Sequence, residues 1–304
     1  MKKKIAAVTG ARGMIGKMVV SELINEGWEV RVLTRSNGHF KGVNVEEFYA
    51  DLNSENLAEF VRDVDLVFHC AAELHDEKKM YSTNVKGTKN LLNALSKSRV
   101  SYFCHLSSAG VVGPTSQKLI DENSPCNPKN LYEVSKYEAE LLVSKAKLNM
   151  NVCILRPTNV ITSLKPGVVA LAIRNNLLDK IKIFVKGSEN AHIVHAIDVA
   201  RAALYFMNSE SNEVEIFFIS QDSDSNNFIS RIYDLYRGKC GHYRRWVLSL
   251  PTSFPYLLRY IFRGKNLHGS AVFLNNKSIN AGFSYDYDVN KCVSEICRDR
   301  GIEL

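Results

Sequence analysis

The sequence predicts a doubly wound α/β protein: a parallel sheet with helices on both faces, followed by a smaller, discontinuous C-terminal lobe. Strand and helix signals alternate from Ile5 to Leu155, a glycine-rich turn joins the first strand to the first helix, and the alternation loosens after Arg156. Ile5 to Thr9 is a short apolar run, and Met14 to Glu26 carries Ile15, Val19, Leu23 and Ile24 at helical spacing, so the chain opens as strand, turn, helix. Val30 to Thr34 reads as the next strand, Leu57 to Arg62 as a short helix and Asp65 to Cys70 as a third strand. Val85 to Ser96, Tyr102 to Leu106, Tyr132 to Leu148 and Val152 to Leu155 continue as helix, strand, helix, strand. Each crossover must return the chain to start the next strand in the same direction, which requires a parallel sheet covered on both faces. Beyond Arg156, Pro166-Gly167 and Lys186-Gly187 interrupt the pattern before the strand-like Val214 to Ser220, read as a late strand of the main sheet. The expected division is 1–157 plus about 191–221 for the sheet domain, with about 158–190 and 222–304 forming the lobe.

At 304 residues, 45% apolar and 23% charged, the chain has the composition of an ordinary globular protein, which excludes a fibre or a disordered polymer. The net charge of +7 is local. Between Phe228 and His268 stand Arg231, Arg237, Lys239, Arg244, Arg245, Arg259, Arg263 and Lys265 against the single acid Asp234. That concentration argues against a general nucleic-acid coat and for one anionic partner. Three readings of 228–268 stand side by side: a pocket for a substrate diphosphate, a membrane-facing patch, or a solvated surface, with the pocket preferred. Seven cysteines with no CxxC spacing indicate neither a disulfide framework nor zinc, and no metal site is expected; a reducing cytoplasm fits this usage. The first residues begin like a secretory leader, but Gly10, Arg12, Gly13 and Gly16 interrupt the apolar stretch too early. No run of 18 apolar residues occurs; the nearest, Trp246 to Phe262, is broken by Pro251 and Pro255 and carries Arg259.

Gly10, Gly13 and Gly16 stand three apart between the first strand and first helix. In that context Gly10 permits the tight turn, Gly13 lets the backbone approach a pyrophosphate at the helix N-terminus, and Gly16 lets helix and sheet pack closely. The alternative is a tight strand–helix turn without a ligand. A dinucleotide with a free ribose 2′-hydroxyl calls for an acid at the end of the second strand, yet the chain reads Val32-Leu33-Thr34-Arg35-Ser36. Arg35, helped by Arg12 in the glycine loop, suits the 2′-phosphate of NADP instead, with NAD as the alternative cofactor. Asp51-Leu52 is placed to meet the adenine, or Asp51 simply caps a turn.

Tyr132 and Lys136, at i and i+4, share one helix face, where an ammonium stabilises a phenolate. Ser108, in Leu106-Ser107-Ser108-Ala109-Gly110 at the end of the preceding strand, offers a hydroxyl to hold a carbonyl oxygen or alcohol.

With these residues in view, the sequence resembles the extended short-chain dehydrogenases/reductases, in particular the NAD(P)-dependent epimerase/dehydratase family with its Rossmann fold. The matching stretches are TGARGMIG (9–16), DL (51–52), HCAA (69–72), NVKGT (84–88), LSSAGVVG (106–113), YEVSK (132–136), LRPTNV (155–160) and HIVHAIDVA (192–200). The tail, LSLP (248–251) and LHGSAVFLNNKSINAGFSY (267–285), is most similar to bacterial sugar-nucleotide members. The resemblance implies that Tyr132 is the general acid/base, that Lys136 lowers its pKa and binds the nicotinamide ribose, and that Ser108 is the catalytic hydroxyl, with Ser107 packing behind it. It implies a cofactor contact set of Gly10, Arg12, Gly13, Met14, Ile15, Gly16, Arg35, Asp51, Leu52, Ala71, Ala72, Tyr132, Lys136 and Pro157. Ser108, Asn159 and Arg244 are the expected substrate contacts, Asn159 by its place three residues after Arg156, where a loop cap is the alternative. Asn84 is expected to shape a helix start and Asp198 to be structural. Dimerisation through the helices at 84–98 and 132–148 is implied as well.

Two departures bear on the reaction. After the RP motif the chain reads Val160-Ile161-Thr162-Ser163 rather than the family's V-Y-G-P. Ala109-Gly110 follow Ser108 where sugar-nucleotide dehydratases carry Asp-Glu, so elimination of water lacks its acid and base. The expected activity is oxidoreduction at C4 of a nucleotide-linked sugar, foremost as an NADPH-dependent 4-ketoreductase and alternatively as a 4-epimerase retaining NAD. A reductase of a non-nucleotide ketone and a dinucleotide-sensing protein without turnover remain behind these.

Overall fold

The computed structural model describes residues 4–36, 38, 40, 44–54, 56–209, 213–242, 248–251, 253–254 and 268–303. The chain forms two compact units, one of Met1–Val111, Pro128–Arg156 and Val199–Phe217, the other of Val112–Asn127, Pro157–Asp198 and Phe218–Leu304. In chain order the strands are β1 (Ile5–Thr9), β2 (Glu29–Thr34), β3 (Val45–Tyr49), β4 (Leu66–His69), β5 (Tyr102–Leu106), β6 (Leu119–Ile120), β7 (Asn151–Pro157), β8 (Asn159–Ile161), β9 (Ile193–His195), β10 (Val214–Ile219) and β11 (Val272–Phe273).

Seven of these strands form one sheet in the order β10-β7-β5-β4-β1-β2-β3. The pairings of β1 with β2 and β4, of β2 with β3, and of β5 with β4 and β7 are all parallel. Every residue of β4 and of β5 is buried, as expected for strands covered on both faces. The helices are α1 (Met14–Asn25), α2 (Leu57–Phe60), α3 (Glu77–Met80), α4 (Gly87–Leu95) and α5 (Leu131–Lys145). Ala7, Val67, Phe103 and Ile154 from the sheet meet Phe60, Leu91, Leu95 and Val143 from the helices in one buried cluster. The doubly wound fold is as expected, and the late strand 214–219 joins its edge.

Three features differ from the sequence reading. Residues 45–49 form a further edge strand, whose half-exposed side chains give no apolar run. The helix expected to begin at Val85 is already under way at Glu77, because Tyr81–Lys86 continues α3 into α4 as a wider π-type turn. Two short sheets, β8 with β9 and β6 with β11, pair residues too few and too distant in sequence to leave a local signal. Through those pairings, 112–127 and 191–198 cluster with the second unit rather than with the sheet domain.

The second unit also holds α6 (Ala170–Arg174), α7 (Leu177–Lys186) and the helices Ile229–Lys239 and Val289–Arg298. Its core joins Ile161, Val169, Ile193 and Ile232 to Val289, Val293 and Ile296, which recur at helical spacing on one face. Among the described residues, no helix is long and apolar enough to cross a membrane.

Candidate active site

The glycine loop adopts the geometry its sequence requires. Gly10 has φ +68°, and a side chain there would bring a Cβ within 2.5 Å of Ala71 N, so the position tolerates only glycine. Gly13 N donates to Gly10 O at 2.8 Å and closes the turn. A Cβ at Gly16 would overlap the Gly10 carbonyl, so the helix can approach the turn only with glycine there. Gly13 caps α1 without a side-chain hydrogen bond, and the first turn, which includes Met14 and Ile15, has no acid. Its leading N–H groups therefore form a site suited to a phosphate, and the dinucleotide implied by the sequence fits these residues.

At the end of β2, Arg12 Nη1 donates to Ser36 Oγ at 3.0 Å, which brings the glycine-loop guanidinium to the residue that follows exposed Arg35. Ala71, just past β4, donates its N–H to Thr9 Oγ1 at 3.3 Å, and Ala72 follows it, half-buried. Asp51 Oδ1 accepts from Asn53 N at 2.8 Å and from Asn53 Nδ2 at 3.1 Å, which is the turn-capping alternative of the sequence reading. Leu52 is buried against Gly87, where a Cβ would come within 2.8 Å of the leucine Cβ.

A capping box fixes where α5 starts: Asn130 Oδ1 accepts from Glu133 N at 2.8 Å, and Glu133 Oε2 accepts from Asn130 N at 3.4 Å. Tyr132 consequently lies in the first turn and Lys136 in the second. Ser108 follows β5 and is steadied by Gly110 N, which donates to its Oγ at 3.1 Å. Burial raises the Tyr132 phenol above its ordinary pKa, and a hydrogen bond with Ser108 opposes that rise. The fully buried Lys136 is pushed down to about 8 by desolvation, against the favourable field of Glu140. Its ammonium donates to Leu106 O. The Ser108 hydroxyl thus works in the same direction that the sequence reading assigned to Lys136.

Residues outside the expected set hold this one in place. Thr88 Oγ1 donates to Asn84 O at 2.6 Å, so its lone pairs accept from His69 Nε2 at 2.9 Å, and His69 Nδ1 in turn accepts from Thr9 Oγ1 at 2.7 Å. Burial, with the nearby Lys136 charge, pushes His69 down to about 3 and keeps it neutral, as that bonding pattern requires. Asn84 Nδ2 donates to Ser135 Oγ at 2.9 Å, and Ser135 Oγ donates to Tyr132 O at 2.8 Å. The glycine turn and the Tyr132 backbone are therefore joined by one directional polar chain. Asn84, expected only to shape a helix start, is buried in its middle. Ser107 Oγ donates to Glu140 Oε2 at 2.6 Å, and Arg156 closes on the same carboxylate. His69, Asn84, Thr88, Ser135 and Arg156 lie inside the family-like stretches, but the pairing of Ser135 with Asn84 and of Glu140 with Arg156 shows only once α5 is packed.

In the second unit, buried Pro157 ends β7. Asn159 opens β8, is exposed, and donates its Nδ2 to Ala191 O, just before β9, at 2.8 Å. Asp198 accepts from Asp286 N and Tyr287 N at 2.8 and 3.1 Å, a structural role as expected. Arg244 lies outside the described residues.

The family model for the NAD dependent epimerase/dehydratase family matches residues 6–219. A Methanocaldococcus jannaschii protein, provisionally named UDP-glucose 4-epimerase, is 28% identical over 254 residues, covering 77% of this chain and 82% of its own. The decarboxylating sterol-4-alpha-carboxylate 3-dehydrogenase of Dictyostelium discoideum is 26% identical over 291 residues, 86% of each chain. Among solved structures, the Bordetella bronchiseptica enzyme WbmH in complex with NAD+ superposes with a TM-score of 0.76 at 19% identity, over 99% of this chain and 100% of its own. UDP-glucose 4-epimerase from Thermotoga maritima, with UDP-glucose, gives 0.73 at 22% identity, over 97% and 99%. At these identities the structural likeness shows the fold. The family match spans well over half the chain, and the protein belongs to the NAD dependent epimerase/dehydratase family, the NAD(P)-dependent enzymes of the extended short-chain dehydrogenase/reductase class.

Proposed function

We propose that the protein is an NADPH-dependent reductase of a nucleotide-linked 4-keto sugar. The observation that carries this reading is the Arg12 guanidinium tied to Ser36 at the end of β2, the residue after exposed Arg35, in a stretch with no acid from Val30 to Ser36. Positive charge there favours a 2′-phosphate, and hence a cofactor drawn from the reducing NADPH pool and exchanged every turnover. When bound, the dinucleotide supplies the hydride.

The chain's own residues do the rest. Tyr132 holds the proton that the reduced carbonyl oxygen must receive, and its elevated pKa keeps the phenol protonated before transfer. Ser108, already hydrogen-bonded to that phenol, is positioned to hold the same oxygen. The Lys136 ammonium lies one turn on, where the ribose hydroxyls and the developing phenolate can use it. The first unit binds the dinucleotide and the second the sugar nucleotide, with Asn159 and Arg244 as contacts; the chain assembles as a homodimer through α4 and α5.

A second reading, 4-epimerisation with retained NAD, is favoured by the names of the archaeal relative and the Thermotoga neighbour. Purified protein is incubated with nucleotide-linked 4-keto sugars and with nucleotide-linked hexoses while reduced-cofactor absorbance and C4 configuration are followed. Stoichiometric NADPH oxidation with the keto sugars supports reduction. Stoichiometric NAD released on denaturation, with C4 inversion and no added cofactor, replaces it with epimerisation.

A further inference from the structure

We infer that the outward face of α7 docks on an anionic lipid surface. This inference concerns the second unit alone and does not rest on the proposed reaction. Helix α7 buries Asp179 and Ile183 inward. Its other large apolar side chains point the opposite way: Leu177, Leu178, Ile181 and Phe184 are 73, 68, 49 and 39% exposed. At i, i+1, i+4 and i+7 they form one stripe, roughly 120° wide at 100° per residue. Among the described residues, no other helix exposes more than one large apolar side chain.

The charges around the stripe select the partner. Exposed Lys180 and Lys182 flank it on opposite sides, and exposed Lys186 ends the helix. The helix's one acid, Asp179, is buried and held by Arg174 through two bonds of 3.0 Å, so the exposed face carries no negative charge. Lysines bordering an apolar stripe can extend toward headgroups while the stripe enters the acyl boundary. Ten residues rise only about 15 Å, too short to span a bilayer.

The neighbouring segment extends the same surface. Leu250 N donates to Phe184 O at 2.8 Å, Ser188 Oγ donates to Leu250 O at 2.5 Å, and a Cβ on Gly187 would lie 2.7 Å from Ser249 Cβ. Residues 248–250 therefore lie against the C-terminal end of α7, and Leu248 there is 79% exposed. In sequence they belong to the 228–268 stretch, whose eight basic residues face one acid.

The test is co-sedimentation of the full chain with sonicated vesicles of phosphatidylcholine, with and without about one third phosphatidylglycerol, in low and high salt. The wild type should sediment with the anionic vesicles, at least tenfold less with neutral ones, and less as salt rises. Ile181→Asp and, separately, Lys180→Glu with Lys182→Glu should each reduce binding at least tenfold, with unchanged thermal melts. If Ile181→Asp fails to fold, the lysine variant decides. Failure of the wild type to sediment, or equal sedimentation of the folded variants, overturns the proposal. So does light scattering showing that Ile181→Asp splits a wild-type dimer, since the face would then belong to a second copy.

Discussion

Glu140 lies one helical turn beyond Lys136 on α5 and forms a buried, two-pronged ion pair with Arg156 of β7, both side chains being 4% exposed or less. Ser107 donates to the same carboxylate, so a single acid joins the central sheet to the helix that carries Tyr132. Glu140→Ala removes one partner and leaves the Arg156 charge buried without its counter-ion. The expected cost is about 3–5 kcal/mol of folding stability, read from urea denaturation. A loss below about 1 kcal/mol would mean that water or another acid compensates.

Tyr132→Phe should abolish turnover while leaving cofactor affinity within a few-fold, because the lost hydroxyl is the proton donor rather than a principal binding contact. Fluorescence titration with NADPH beside a steady-state assay separates the two. Most of the activity surviving in the variant would discard the proposed acid.

Arg35→Asp should shift preference from NADPH toward NADH by one to two orders of magnitude in kcat/KM, since an acid repels a 2′-phosphate and accepts from ribose hydroxyls. Parallel assays with the two cofactors check this. An unchanged ratio would assign the selection to Arg12 or overturn NADP preference.

Lys136 has a folded pKa of about 8 against an ordinary 10.5. Its proton is held more weakly in the folded state, so the folded protein gains stability relative to the unfolded chain as pH rises from about 8 to 10.5. Desolvation of the ammonium is the physical cause. Urea midpoints across this window should rise for the wild type by more than for Lys136→Met. Turnover should fall over the same range as the ammonium is lost, while Lys136→Met is poorly active throughout.

His105 is fully buried on β5, with no hydrogen-bond partner for either ring nitrogen among the described residues, and burial holds its pKa well below the ordinary value. It packs against the His69 and Phe103 rings at 5.3 and 6.5 Å between centroids. An apolar ring of similar size should suit the site better, so His105→Phe is expected to be neutral or stabilising by about 1–2 kcal/mol in thermal melts. Strong destabilisation would point to a polar partner for this ring.

The alternation of apolar runs and helical spacings determined the main sheet except for its edge strand β3, because a strand buried on both faces writes its own local pattern and a half-exposed one does not. Gly10, Gly13 and Gly16 could be assigned from their spacing, and at Gly10 and Gly16 steric demand at the turn leaves no other residue. The 132/136 pair was legible for the same reason: four residues along a helix return to the same face. Tertiary structure alone decided what those side chains meet. Ser135 becomes a link to Asn84, Glu140 the partner of Arg156, and Ser108 a hydrogen-bond partner of the Tyr132 phenol, each by contacts across 16 to 51 residues that no periodicity encodes. The same holds for α7. Its sequence shows an apolar stripe that would ordinarily face the core, and only the packed unit reveals that Asp179 and Ile183 face inward while Leu177, Leu178, Ile181 and Phe184 are left outside.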